Sequence, residues 1–578
     1  MNRPRGWIQD SGNLDNMIRV VELFDKNSAT HKNLISTHIP NKIEDISKKT
    51  QLIENLKTTL VNFNSLVGTR TSNDKVDSII QCLISGQNRL GIVDWACDNF
   101  VRFAYTLNFI AYNETFDSFS ITNFGLELTQ ATDDEKYEVL KIALKKYPPV
   151  VRVLELLYNQ YENQPQIPSL TKFEIGKNLG FKGEDGFTTY SQNVFIQALN
   201  TAETVKERNK IRQNWEGSSD KYARMICGWL MHNKIAWVTR NKKDVEIQIG
   251  NEKYDAKLQS YQITLEGIKE FRSCRAYSRN PGTIKNVSFE MLATKGADKN
   301  YLRTRRTYIL KAIQLNKTIE QIQQYLENKN LSNISEQTIK DDIKNFSRIG
   351  LEISFSCEKY KLKDVIELLE IPDSVSQQNI TPSILESTKQ TLREELNCLD
   401  HEYLDILDFS IAGRKSAIQF EVRITELLNQ IIIAKHLAGG SRPEIIGYNP
   451  KHKPEDCIIM DSKSYKDGFK IPASERDKMI RYIEEYKEKD ENLNSNKWWA
   501  NFKSPDYPNK EVKFSFVSSA FIGNYLSQLT YIRNRTGING CAVTTETLLR
   551  KVNNVLNKNC DYELTNFFED LGCNNLVK

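Results

Sequence analysis

The segment Ile371-Pro-Asp-Ser-Val-Ser-Gln-Gln-Asn-Ile-Thr-Pro-Ser383 is polar, carries two prolines and lacks apolar periodicity, and it reads as a linker. The chain is patterned differently on its two sides. Before it, one local order recurs three times. A helix-like run from Asp98 to Leu107 leads into Phe109-Ile-Ala-Tyr, a turn-rich gap and Phe119-Ser-Ile-Thr-Asn-Phe-Gly. A second helix, about Asp220 to Met231, leads through Ile235-Ala-Trp-Val to Tyr261-Gln-Ile-Thr-Leu-Glu-Gly. Helical spacing in Ile319–Leu326 and Glu336–Phe346 leads to Gly350-Leu-Glu-Ile-Ser-Phe and Tyr360-Lys-Leu-Lys-Asp-Val-Ile-Glu-Leu-Leu. Each reads as helix, strand, turn, strand, helix, from alternation in the strands and 3.6-residue spacing in the helices. That order predicts winged helices, or failing that three small α+β domains.

Beyond the linker the pattern becomes α/β with a mixed sheet. Helices are expected at Ser383–Leu396, Ile418–Ile432, Ala473–Lys487 and Asn524–Arg535, and strands at Cys457–Asp461, Lys513–Ser518 and Gly540–Thr544. The fold class expected is α+β multidomain: domains over 1–146, 147–287 and 288–371, a linker at 372–383, and an α/β domain over 384–578. The 578 residues carry 79 Lys and Arg against 74 Asp and Glu, a net charge of +5, so an anionic partner must be met by local patches. No apolar run approaches a membrane span, and Met1-Asn-Arg-Pro-Arg-Gly-Trp lacks a secretory apolar core, so a cytoplasmic protein is expected. Ten cysteines form no CxxC and read as reduced, mostly buried thiols. Six histidines form no HExxH or HxH pair, which argues against a His-rich metal site or a Ser-His-Asp hydrolase.

The sharpest chemical signal is Pro443-Glu444 followed, 17 residues after Glu444, by Asp461-Ser462-Lys463 at the end of an apolar strand. Residues two apart in a strand share a face, so Asp461 and Lys463 lie side by side. Glu444 supplies a second carboxylate. With the Ser462 carbonyl, the pair forms a hard oxygen site suited to Mg²⁺, which polarises a phosphate and activates water. Lys463 stabilises developing charge. The spacing fits the PD-(D/E)xK nuclease pattern, and its plainer reading is a strand-end ion pair. In Asn214-Trp-Glu-Gly-Ser-Ser-Asp-Lys-Tyr-Ala-Arg-Met, a capped helix starts near Asp220 with Lys221 and Arg224 in its first turns. Those cations suit guanine and Glu216 suits cytosine; a capped, solvated surface helix fits equally well. The patch Tyr301-Leu-Arg-Thr-Arg-Arg-Thr-Tyr reads either as a phosphate contact or as a docking surface.

The run Asn214–Ile226 resembles the recognition region of the FokI type IIS restriction endonuclease family. So do Gly6-Trp-Ile-Gln9, Leu66-Val-Gly-Thr69, Lys177-Asn-Leu-Gly-Phe181, Glu290-Met-Leu-Ala-Thr294 and Arg303-Thr-Arg-Arg306. Gly439-Gly-Ser-Arg442, Asp461-Ser-Lys-Ser-Tyr465, Trp498-Trp499 and Gly523-Asn-Tyr525 are similar to its cleavage domain. The resemblance implies three winged-helix recognition domains that read an asymmetric GGATG-type site in double-stranded DNA. It implies a Mg²⁺-dependent PD-(D/E)xK domain cutting both strands downstream in a bacterial cytoplasm, and transient pairing of two cleavage domains. Gln9, Gln87, Trp95, Glu216, Lys221 and Arg224 match base-reading positions, with Asp10 and Gln213 replacing two others. Asp477 and Arg481 match a reciprocal dimer salt bridge, on one face of a helix. Glu444 stands where the family has Asp, with Glu455 and Asp456 nearby as rival ligands, and residues 70–75 are shorter than the family pattern. A DNA-binding regulator or a nickase with an impaired nuclease domain is the alternative.

Overall fold

The alternation in Phe109-Ile-Ala-Tyr and Phe119-Ser-Ile yields a hairpin. Helix α1 (Cys97–Thr106) leads into antiparallel β1 (Ile110–Asn113) and β2 (Ser118–Ile121), and α2 (Asn123–Gln130) follows. The strand Val61–Asn62 pairs with the other edge of β2. The same order recurs as α3 (Lys221–Leu230), β3 (Val238–Ile249), β4 (Glu252–Ile263) and α4 (Leu265–Cys274), with Ser169–Thr171 paired to β4. This computed structural model describes the chain except residues 1–5, 10–11, 69–75, 85–96, 203, 217–220, 276–281, 295, 368, 377–379, 438, 450–455, 493, 503–511, 559–560 and 578. It divides into two units: Met1–Phe181, Lys221–Asn241 and Gln259–Thr381 in one, and Lys182–Asp220, Lys242–Leu258 and Pro382–Lys578 in the other.

Both hairpins are closed at the base by the same clasp. Asn108 and Ala236 turn the chain with φ of 63° and 54°. The Thr122 amide donates to the Phe109 carbonyl at 3.0 Å and its hydroxyl donates to Asn108 at 2.8 Å; Thr264 makes the equivalent bonds to Trp237 at 3.0 Å and Ala236 at 2.8 Å. Each threonine then caps the next helix, accepting from Gly125 or Gly267 at 3.0 Å. A Cβ at either glycine would lie 2.1 Å from the Phe109 or Trp237 carbonyl oxygen, so only glycine lets the helix approach. The shared Ile-Thr-x-x-Gly of residues 121–125 and 263–267 encodes this clasp.

The third repeat differs. Helices α5 (Lys299–Gln314), α6 (Ile319–Glu327) and α7 (Glu336–Arg348) precede the hairpin β5 (Ile353–Ser356) and β6 (Lys359–Leu362). The helix expected to close the run Tyr360-Lys-Leu-Lys-Asp-Val-Ile-Glu-Leu-Leu is not formed among its described residues after β6. Ile366 bridges Lys285 in parallel, with Lys285 donating to Val365 at 2.8 Å and Glu367 donating to Lys285 at 3.0 Å. This isolated bridge to a distant segment satisfies backbone groups that a helix would have satisfied locally, and β-branched Val365 and Ile366 favour it. A short helix, Asp373–Ser376, lies inside the expected linker.

The arginine patch on α5 faces inward. Arg303, Arg305 and Arg306 are 2%, 0% and 1% exposed, so they contact neither phosphate nor solvent. Asp342 of α7 accepts from Arg305 Nε and Arg306 Nε, both at 2.8 Å, while Arg306 and Arg303 donate to the Leu292 and Ala293 carbonyls. The Arg306 guanidinium stacks 3.8 Å from the Phe181 ring centre. Trp7 is also buried here and donates to the Met291 carbonyl at 2.7 Å. The motifs Gly6-Trp, Glu290-Met-Leu-Ala and Arg303-Thr-Arg-Arg thus brace one another inside the unit.

In the other unit, α8 (Ala417–Leu428) precedes a five-stranded mixed sheet: β7 (Ile433–His436), β8 (Ile445–Tyr448), β9 (Cys457–Lys463), β10 (Val512–Ser518) and β11 (Gly540–Thr544) in spatial order β11-β10-β9-β8-β7. The β7, β8 and β9 pairings are antiparallel, and the β9, β10 and β11 pairings parallel. Helices α9 (Ala473–Glu488), α10 (Tyr525–Thr536), α11 (Thr545–Lys558) and α12 (Asp561–Leu571) complete it. One core joins Phe420, Ile424 and Leu427 of α8 to Ile458, Met460, Val517 and Val543 of the sheet and Leu548, Leu549 and Val552 of α11. Residues 459, 461 and 463 alternate to the opposite face. Strands β7 and β8 were not expected; the run Ile431-Ile-Ile-Ala continues the helical apolar pattern although α8 has already ended at Leu428. The segments 182–220 and 242–258 join this unit through Lys435 to Glu252 at 3.0 Å, Arg442 to Glu207 at 3.0 Å, and the Trp215 ring 5.2 Å from that of His436. No described helix is long and apolar enough to cross a membrane.

Burial would raise the Asp342 carboxyl, but Arg305 and Arg306 overcome this and hold it down at about 2. Its contribution to stability is therefore present above its ordinary value near 3.8 and lost as pH falls toward 2. Asp342→Asn is expected to destabilise the first unit by roughly 3–5 kcal/mol, because it leaves two buried guanidiniums short of charge. In thermal melts, the gap between variant and parent should shrink below pH 4.

Candidate active site

Strand register brings the carboxylates together. Ile445 of β8 lies opposite Met460 of β9, so Glu444, one residue earlier, falls beside Asp461. Lys463 follows on the same face of β9. Its Nζ lies 2.7 Å from Glu444 Oε1 and 2.8 Å from Asp461 Oδ2. The other Glu444 oxygen accepts from the Ser462 amide at 2.7 Å and the Ser462 hydroxyl at 3.1 Å. The extra methylene of glutamate is thereby folded back onto the strand.

The loop before Glu444 is held from two sides. The Tyr482 hydroxyl of α9 donates to the Arg442 carbonyl at 2.6 Å. Asn494 donates to the Ser441 carbonyl at 2.9 Å and to Glu485 at 2.8 Å, and Trp498 donates to the same Glu485 oxygen at 2.7 Å. Trp498, one of the paired tryptophans, is therefore a fully buried prop for this loop.

Two charged residues that the sequence reading missed complete the cluster. Glu475 Oε2 lies 3.3 Å from Lys463 Nζ, and Lys478 Nζ lies 3.5 Å from Asp461 Oδ1, 3.5 Å from Glu475 Oε2 and 4.0 Å from Glu444 Oε1. The signal for them was the i, i+3, i+7 face of Glu475, Lys478 and Tyr482 on α9. Asp461 Oδ1 and Glu475 Oε2 are buried and accept no hydrogen bond from the described residues. A cavity of about 540 Å³ opens at Glu444 and Lys478, lined also by Lys206, Lys210, Trp215 and Arg442.

Among the described residues, no group of three or more His, Cys, Asp or Glu is arranged to hold a metal on protein ligands alone. The donors expected from the sequence are Glu444, Asp461 and the Ser462 carbonyl. All are hard oxygens, one of them an open buried carboxylate oxygen, and this fits Mg²⁺, which keeps several waters. Asp456 does not join them. It sits before the opposite end of β9 and pairs with Lys513 at 3.4 Å. Glu455 lies outside the described residues.

The sequence-predicted DNA-reading residues are partly brought together. Gln9 Nε2 donates to the Tyr222 hydroxyl at 2.9 Å, and the Trp7 and Tyr222 rings lie 5.0 Å apart. Trp7 and Gln9 thus lie against α3, beside exposed Lys221 and half-buried Arg224. Lys221 stands at the positive end of the α3 dipole, a place with no structural benefit for a cation. Gln213 is exposed, in the Arg212–Glu216 turn of the other unit. Asp10, Gln87, Trp95 and the Glu216 side chain lie outside what the structure describes. On α9, Asp477 pairs with Arg476 at 2.7 Å and Arg481 lies 3.5 Å from Glu485, with Asp477 and Arg481 side chains 59% and 49% exposed.

Burial first, then the neighbouring Glu444, pushes the Asp461 carboxyl up to about 6, against the pull of Lys463. Burial would lower Lys463, but Asp461 and Glu444 outweigh it and hold the ammonium well above its usual range. A carboxyl raised in this way favours folding at acid pH and loses that contribution as pH rises through 6. In the ion-free protein, the Asp461 carboxyl carbon should titrate near 6 by NMR. Glu444→Gln should lower that midpoint; an unchanged midpoint would show that the two carboxylates do not interact.

The FokI profiles match most of the chain: recognition domain, subdomain 1 over residues 3–131; recognition domain, subdomain 2 over 137–274; D3 domain over 292–358; and cleavage domain over 383–578. The chain is 36% identical over 566 residues to type II restriction enzyme FokI of Planomicrobium okeanokoites, covering 95% of this chain and 94% of that protein. It is 31% identical over 578 residues to type II restriction enzyme StsI of Streptococcus sanguinis, covering 96% and 92%. It superposes on the solved structure of restriction endonuclease FokI with TM-score 0.88 and 33% identity, and on that of FokI bound to DNA with TM-score 0.89 and 34% identity. Both matches cover 100% of each chain.

Proposed function

The chain belongs to the FokI family of type II restriction enzymes, and we propose that it is a type IIS endonuclease. It binds an asymmetric GGATG-like site in double-stranded DNA and hydrolyses both strands at a fixed distance downstream. The observation that carries this reading is the convergence of Glu444, Asp461 and Lys463 at the end of one strand of a mixed sheet. We assign winged-helix recognition domains to 1–146, 147–287 and 288–371, a linker to 372–383 and a PD-(D/E)xK cleavage domain to 384–578. The repeated helix-to-hairpin order supports the first assignment and the site supports the last.

Glu444, Asp461 and the Ser462 carbonyl would hold the divalent ion, which we take to be Mg²⁺; bound there, it would polarise the scissile phosphate and acidify water. The Ser462 amide fixes one Glu444 oxygen and thereby the direction of the other. Lys463, held between the two carboxylates, supplies a positive charge where the phosphoryl group becomes more negative. Base reading falls to Gln9, Asp10, Gln87, Trp95, Gln213, Glu216, Lys221 and Arg224. One such centre cuts one strand. Asp477 and Arg481, exposed on one helix, are the groups by which two cleavage domains pair reciprocally on DNA.

Asp461→Ala should leave binding to the cognate site nearly intact and abolish cutting in a Mg²⁺ digest of plasmid. Discrete linear fragments from the parent enzyme, sequenced by run-off, give the site and the offsets; nicked circles alone would indicate a nickase, and binding without scission a regulator. Lys221→Ala should weaken the specific complex by roughly 1–3 kcal/mol and relax preference at one base pair. A uniform loss on all sequences would make Lys221 a phosphate contact instead.

A further inference from the structure

Resting on that reading of the site, we propose that Lys478 is a positioning residue: an exchangeable counter-ion that neutralises the inner oxygens of Asp461 and Glu475 in the ion-free enzyme and gives way when a divalent cation binds. Three carboxylates, Glu444, Asp461 and Glu475, face two ammonium groups here. The two ammoniums are held very differently. Lys463 is on a strand, donates to Glu444 at 2.7 Å, and its carbonyl accepts from Ser518 at 2.7 Å; its side chain is 13% exposed. Lys478 is on a helix, stands 3.5 Å from both Asp461 Oδ1 and Glu475 Oε2, and its side chain is 30% exposed.

The oxygen Lys478 faces is the one a cation needs. Asp461 Oδ1 is buried and accepts no hydrogen bond from the described residues. A Mg²⁺ ion binds carboxylate oxygen at about 2.1 Å. With that oxygen ligated, an ammonium 3.5 Å away would lie beside the ion, and like charges at such separation repel strongly in a buried site. Lys478 has somewhere to go. It lines the cavity shared with Lys206, Lys210 and Arg442, and its Nζ already lies 5.7 Å from the centre of the Tyr482 ring. Moving there places a cation at the mouth of the site, on the side lined by the other basic residues.

The test is Mn²⁺ binding to the full-length chain without DNA, with free ion followed by electron paramagnetic resonance. Lys478→Met should bind Mn²⁺ at least about tenfold more tightly than the parent, and Lys478→Arg, which keeps the charge, should stay within about threefold. Arg476→Gln removes a charge on the same helix away from the carboxylates and should also stay within about threefold. Unchanged or weaker binding by Lys478→Met overturns the proposal, as does an equal gain in Arg476→Gln or in Lys478→Arg. Asp461→Ala separates the two layers. If it abolishes Mn²⁺ binding while Lys478→Met changes nothing, the counter-ion role alone fails. If parent binding survives Asp461→Ala, the ion lies elsewhere and the metal reading of the site fails with it.

Discussion

The register between β8 and β9 is the constraint on which the cluster of Glu444, Asp461 and Lys463 depends. Ile445 opposite Met460 puts Glu444 beside Asp461, and a slip of one residue would turn every side chain of the strand to the other face. The register is secured from outside the pair. Tyr482 and Asn494 hold the Arg442 and Ser441 carbonyls, and Glu485 and Trp498 hold Asn494. Residues with no chemical part therefore decide where a carboxylate points. The longer Glu444 fits because the Ser462 amide and hydroxyl fix its second oxygen.

In the other unit, buried charge does comparable work. Arg305, Arg306 and Asp342 tie α5 to α7, and Arg303 and Arg306 hold the Leu292 and Ala293 carbonyls. Through Met291 this scaffold reaches Trp7, and from Trp7 the chain runs to Gln9 at Tyr222 of α3. Trp7, which packs on Tyr222 of α3, is thereby joined to Met291, far away in the chain. The charges are internal, so their effect on DNA contact is through shape rather than through attraction to phosphate.

Patterned segments were legible. The helices Glu336–Arg348 and Ala473–Glu488, the strand Gly540–Thr544 and the Glu444, Asp461, Lys463 constellation follow from periodicity and spacing. What escaped was set by distant partners. The run Ile431-Ile-Ile-Ala carries no period that distinguishes helix end from strand start, and Ile366 extends because it meets Lys285. The arginine cluster read either as a phosphate contact or as a docking surface, because nothing local reveals Asp342 as its neutralising partner. Glu475 and Lys478 were missed: they share a helix face, but which groups that face meets depends on the packing of α9 against the sheet.

The threonine–glycine clasp has a consequence for how such modules vary. The hairpin β1/β2 has strands of four residues and β3/β4 strands of twelve, yet both are closed by the same bonds at the base. The clasp fixes the entry, the exit and the following helix without reference to what lies beyond. Reach is thereby uncoupled from foundation, and a lineage can lengthen or shorten an arm at its tip while the socket that carries it stays unaltered.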